Sequence, residues 1–226
     1  NNGVLPLESK QSIALFGNGV RKTIQGGTGS GSVNVRSFTT IEQGLEEAGF
    51  EITTKEWLDK NDKHYEKLLK EYQDWLQNES EKTGMPQFLI GFSHPFEEPD
   101  AVEVTDGDLE NNNSSISIYV ISRNSGEGSD RKCKAGDYLL GKNEIQAIRK
   151  LSESSKKLIV VLNIGGVMQL TEVKELQGVD AVVLMGQLGN IGGNALADLL
   201  SGKVNPSAKL ADTWAYKYSD YPSSSE

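Results

Sequence analysis

The sequence predicts an α/β fold: a mostly parallel, twisted sheet of about six strands with helices on both faces. Three observations carry this. Short apolar runs, SIALFG at 12–17, ISIYVIS at 116–122, LIVVLNI at 158–164 and DAVVLMG at 180–186, have the length and continuity of strands buried on both faces. Segments with apolar residues three and four apart separate the runs, and such strand–helix alternation requires parallel, right-handed crossovers. Glycine turns follow four of the strands, so side-chain bulk is low along one edge of the sheet.

The elements follow in order. Ser12 to Gly17 is the first strand, and Thr40 with Gln43 has capping-box spacing ahead of a helix that presents Ile41, Leu45 and Ala48 on one face. Gly49 stops that helix, and Phe50 to Thr53 is the second strand. From Thr54 to about Gln77 the pattern is helical, with Leu58, Tyr65, Leu68, Leu69, Tyr72, Trp75 and Leu76 forming a face expected to enter the core. Prolines, acids and the Asn111–Asn113 run break the pattern over 78–115, which reads as a surface excursion without regular structure. Ile145, Ile148 and Leu151 line the buried face of a helix from about Lys142 to Ser154. A last helix spans about Asn194 to Leu200, Asn205–Pro206 turns the chain, and Lys209–Trp214 reads as a final edge strand before a polar tail over 215–226.

Composition narrows the partners. With 32 acidic against 23 basic residues the net charge is −9, and no polybasic run concentrates the positive charge, which argues against nucleic acid and anionic membrane and favours a neutral ligand. Cys133 is the single cysteine, and His64 and His94 lie outside metal-ligand spacing, so neither a metal nor a cofactor is expected. The acids between Glu97 and Asp108 lack the EF-hand order of ligands and glycine and read as a solvated loop. No signal-peptide pattern is visible, and a reducing, cytoplasmic location is the expectation. The opening NNGVLPL reads as extended linker, as in a piece of a longer protein.

Two turns hold the candidate functional residues. SGEGSDR at 125–131 sets Glu127 between two glycines directly after a strand, at the carboxyl edge where open α/β sheets bind ligands. QGGTGSGS at 25–32 has four glycines but no P-loop or dinucleotide-binding spacing. It suits either contact with a polar neutral ligand through Thr28, Ser30 or Ser32, or a plain surface loop. Arg131 either orients the glutamate's turn or pairs with Asp130 to brace it.

Read together, GGTGSG, SGEGSDR, NIGG and GGNALADLLSGKVNPSAKL resemble the C-terminal α/β-sandwich domain of glycoside hydrolase family 3, with flavodoxin-like layers over 1–214. A helical and acidic insertion at about 54–115 carries no motif of that family, and Ala208 and Ile191 stand where the family commonly has glycine and an acid. The resemblance implies a retaining β-glucosidase acting on terminal β-D-glucosyl residues, whose nucleophilic aspartate lies on a separate (β/α)8 barrel absent from this chain. It implies the acid/base role for Glu127 and substrate contact for Ser30; Thr28 and Arg131, taken from the turns themselves, are further substrate-binding candidates. Alone, the domain is expected to be inactive. A non-catalytic carbohydrate-binding or scaffolding domain is the alternative reading.

Overall fold

A computed structural model of the chain describes residues 2–8, 11–110, 112, 114–125 and 130–225, and the side chains of Ser30 and Ser225 fall outside that description. Five parallel strands form one sheet: β1 (Ser12–Phe16), β2 (Glu51–Ile52), β3 (Ile116–Arg123), β4 (Lys157–Ile164) and β5 (Ala181–Leu184). Their order is β2-β1-β3-β4-β5, so the winding direction reverses between β1 and β3. The predicted α/β class and helical layers on both faces are present.

Every residue of β3 is buried, and β4 is buried from Leu158 onward, which explains their unbroken apolar runs. The two strands pair along their whole length, from Ile116 opposite Lys157 to Arg123 opposite Ile164. Helix α1 (Ile41–Glu47) packs against the last helix, Gly192–Leu200, on one face. Helix Lys142–Ser154 contacts β3, β4 and Thr171–Glu175 on the other, as right-handed crossovers from a reversing strand order require. The expected capping box forms: the Thr40 hydroxyl accepts from Gln43 N–H at 3.2 Å, and Gln43 accepts from Thr40 N–H at 3.0 Å.

Three expectations need correction. The helix after β2, α2, runs from Lys55 to Thr83 and buries only Trp57, Leu58 and Asn61, so most of its apolar face lies outside the main core. Segment 78–115 is not free of regular structure: it contains the end of α2, then α3 (Gln87–Ser93) and α4 (Asp106–Glu110). Apolar residues of α3 pack on α2, a tertiary gain that local breaker residues do not reveal. Lys209–Trp214 forms no strand among the described residues. The segment 203–213 is exposed and stands off β5, leaving an apolar groove of about 720 Å3 beside Val182 and Leu184.

The contact between α1 and the last helix is made by Gly44 and Gly193. A Cβ on Gly44 would lie 2.2 Å from the Gly193 carbonyl carbon, and one on Gly193 would lie 2.0 Å from Thr40 O. Both obstacles are backbone, which cannot swing aside. Gly44→Ala is therefore expected to destabilise the chain by about 1–3 kcal/mol through overpacking, even though alanine is the better helix former by about 1 kcal/mol. The urea unfolding midpoint measures the sign.

Candidate functional site

The reversal of strand order opens a crevice at the carboxyl ends of β1 and β3, the usual ligand position in a doubly wound sheet. A polar cleft of about 250 Å3 lies there, lined by residues that include Asn18, Asp100, Ser122, Arg123, Arg131 and Asp137. The glycine-rich loop after β1 and the turn after β3 meet beside it: Thr28 N–H donates to Ser125 O at 3.1 Å. Thr28 is exposed, and a short 3-10 turn over Gly29–Gly31 carries Ser30. Glu127, with Gly126, Gly128 and Ser129, lies outside the described residues, so only the flanks of its turn are placed.

Those flanks are tightly held. Gly165, just past β4, approaches Ser125 so closely that a Cβ would fall 1.9 Å from Ser125 Oγ, which accounts for glycine in NIGG. On the other side Arg131 donates from Nη1 to Asp137 Oδ1 at 3.0 Å and from Nη2 to Gly165 O. Its Nε is buried without a hydrogen-bond partner among the described residues. Arg131 thus takes Asp137 as its carboxylate partner, where the sequence suggested the adjacent Asp130. Asp137 also accepts from Lys132 N–H at 2.8 Å.

Asn163 organises the opposite side of the rim. It is fully buried; Oδ1 accepts from Ile24 N–H at 2.6 Å, while Nδ2 donates to Ile24 O at 2.9 Å and Gly186 O at 2.7 Å. One side chain thereby fixes the loops that follow β1 and β5. Gln25 O accepts from Gly189 N–H at 2.9 Å and extends the same connection. Sequence reading assigned Asn163 no role, although a lone amide closing an apolar run just before Gly-Gly was a usable signal.

Below the cleft Arg123 and Glu144 form a buried bidentate pair at 2.8 and 2.5 Å, and Arg123 Nε donates to Asp137 O at 2.9 Å. Burial opposes the guanidinium charge, yet the Glu144 hydrogen bonds and charge outweigh it, and the Arg123 pKa is raised. Asp100 Oδ2 accepts from Asn143 N–H at 2.7 Å at the start of the Lys142–Ser154 helix, whereas Oδ1 is buried without a partner among the described residues. Burial is the main cause that pushes the Asp100 carboxyl above its usual range, offset by the Asn143 hydrogen bond and reinforced by nearby Glu144. Among the described residues no group of three or more His, Cys, Asp or Glu side chains could hold a metal ion.

The family model described as Glycosyl hydrolase family 3 C-terminal domain matches residues 1–226. The chain belongs to glycosyl hydrolase family 3. As a family 3 domain it is 33% identical over 236 residues to a beta-glucosidase of Ruminococcus albus, covering 99% of this chain and 22% of that protein. It is 32% identical to beta-glucosidase A of Butyrivibrio fibrisolvens, covering 99% of this chain and 27% of that one. The fold matches beta-glucosidase 3B of Thermotoga neapolitana, solved with glucose, at a TM-score of 0.73 and 33% identity, over 99% of this chain and 30% of that structure. A beta-glucosidase of Paenibacillus barengoltzii gives 0.77 at 30% identity, over 100% and 23%. This family 3 chain thus spans about a quarter of the length of such relatives.

Two outcomes test the rim of the family 3 domain. Asn163→Ala leaves three part-buried backbone groups, Ile24 N–H, Ile24 O and Gly186 O, without this partner and should cost about 1–3 kcal/mol in urea unfolding. Asp100 has a raised folded pKa, so its stabilising contribution is complete below the ordinary aspartate value of about 3.9 and is lost as pH rises through the folded value. Asp100→Asn keeps an acceptor for Asn143 N–H and removes the charge. It should raise the melting temperature at pH 7 and change it little at pH 3, by calorimetry.

Proposed function

We propose that this chain is the acid/base-bearing domain of a retaining β-glucosidase that releases terminal β-D-glucosyl residues. The observation that carries the reading is the Thr28 N–H to Ser125 O contact at 3.1 Å, which joins the GGTGSG loop to the SGEG turn beside one polar cleft. Family membership supports it, as do the beta-glucosidase names of the relatives.

In this mechanism an aspartate on the parent's (β/α)8 barrel attacks the anomeric carbon while Glu127 donates its proton to the departing oxygen, the two carboxyls about 5 Å apart. The C–O bond to the aglycone breaks, a glycosyl-enzyme ester forms, and the aglycone leaves as an alcohol. Glu127, now a carboxylate, takes a proton from water as that water attacks the same carbon and frees the aspartate. A glutamate of ordinary pKa, about 4.3, needs burial or a neighbouring carboxylate to stay protonated near neutrality. Closure of the barrel over the rim supplies both. Ser30 and Thr28 offer hydroxyls to the sugar, and Arg131 holds the far flank of the turn and lies near enough to the cleft to meet substrate. The separated domain lacks the nucleophile and is inactive. A cytoplasmic location accompanies the reading, since the exposed free thiol of Cys133 suits a reducing compartment.

In the intact protein, Glu127→Ala should lower kcat on unactivated glucosides by about 10²–10⁴-fold. Activity on aryl glucosides with good leaving groups should return when azide is added, with β-glucosyl azide as the product. An unchanged rate on unactivated glucosides removes Glu127 from the mechanism.

A further inference from the structure

Helix α2 does not fold back over the sheet as crossover helices usually do. Its successive residues meet β1 and then the turn beyond it: Trp57 packs edge-on against Phe16 at 5.1 Å, Asn61 donates to Asn18 Oδ1 at 2.9 Å, and Asp62 pairs with Lys22 at 3.1 Å. Arg21 fixes this stage of the climb by binding Asp59 at 2.6 Å, Asp62 at 3.0 Å and Glu42 of α1 at 2.6 Å. The remaining residues, 62–83, extend about 30 Å past the carboxyl edge of the sheet at 1.5 Å per residue.

This projection is built as a firm arm. Phe96 on the returning chain packs against Tyr65 at 5.8 Å and Tyr72 at 5.3 Å; Tyr72 stacks on Trp75 at 5.9 Å and donates to His94 O at 2.7 Å. Helix α3 lies against α2 through Ile90 and Gly91, with a Cβ on Gly91 only 3.3 Å from Tyr72 Oη. The opposite side of α3 carries an uncovered stripe. Phe88, Leu89 and Phe92 stand at i, i+1 and i+4 of the helix, with Met85 just ahead of its Pro86 cap, and Met85, Phe88, Leu89 and Phe92 are 45%, 73%, 42% and 82% exposed. Helical spacing of this kind marks a face that packs against something.

We infer that this stripe docks on the barrel domain of the parent protein, so that the arm clamps the two domains together. The inference rests on the two-domain reading proposed above. Two features select that occupant. The arm rises from the same edge that carries Thr28, Ser125 and Arg131, so a body closing over that edge must stand beside it. Reach agrees as well: a domain of about 250 residues has a radius of gyration of about 18 Å, and an arm of about 30 Å meets its flank at mid-height. Relatives such as the Ruminococcus albus protein hold nearly four-fifths of their length outside the matched region, which is ample for such a body.

Hydroxyl-radical footprinting of the intact protein tests this, read by mass spectrometry at Met85, Phe88 and Phe92 at two protein concentrations tenfold apart. Labelling of all three should be lost at both concentrations, and Phe88→Ser/Phe92→Ser should lower the melting temperature. Labelling at the rate of a solvent-exposed side chain, or an unchanged melting temperature, overturns the inference. Protection that disappears on dilution also overturns it, because it assigns the stripe to a second copy. Footprinting does not depend on turnover: protection with a fully active Glu127→Ala variant would sink the acid/base role and leave the docking intact.

Discussion

A parallel sheet buried on both faces concentrates its unsolved polar groups at its ends, and at the carboxyl edge of this one Asn163 carries much of that burden. Its amide closes two hydrogen bonds with Ile24 and one with Gly186, holding loops from either side of β4. Leaving an amide or carbonyl there unpaired costs about 1–3 kcal/mol when it is shielded from solvent, so these bonds favour the observed arrangement of the loops. Arg123 serves the neighbouring strand in the same way, joining Glu144, Ser122 O and Asp137 O beneath the cleft.

Close backbone approach is the second device. Gly44 against Gly193 lets two helices share one face, and Gly165 against Ser125 lets the end of β4 support the entry to the Glu127 turn. Both positions exclude a Cβ because the space is already filled. The exit from that turn is held by charge, through Arg131 and Asp137. The entry is thus set by shape and the exit by hydrogen bonding.

The arm also bounds this rim. Its lower part walls the cleft, since Phe96 to Asp100 line one side and Glu97 pairs with Lys134 at 2.5 Å across to the loop after the turn. Displacement of the arm would therefore be felt at the cleft. The same polypeptide that the sequence presents as an unmotivated insertion forms part of the site's boundary.

From the sequence alone, four of the five strands were placed to within two residues at each end, because continuous apolar runs bounded by glycine have few other physical meanings. The short β2 was placed as well, with its boundaries drawn one residue too wide at each end, and the α1 capping box followed from spacing. The family's motifs singled out Glu127 and Ser30, and the glycine-rich turns that hold them singled out Thr28 and Arg131. What the sequence did not contain was pairing at a distance: Ile24 with Asn163, Arg131 with Asp137, Arg123 with Glu144, and α3 with α2. Nor did it reveal that Lys209–Trp214 stays off β5 or that α2 leaves the core after Asn61. Periodicity reports that a face is apolar and is silent on what covers it. Only the tertiary arrangement decides which apolar faces meet, which buried polar atoms find partners, and which apolar stripe stays exposed.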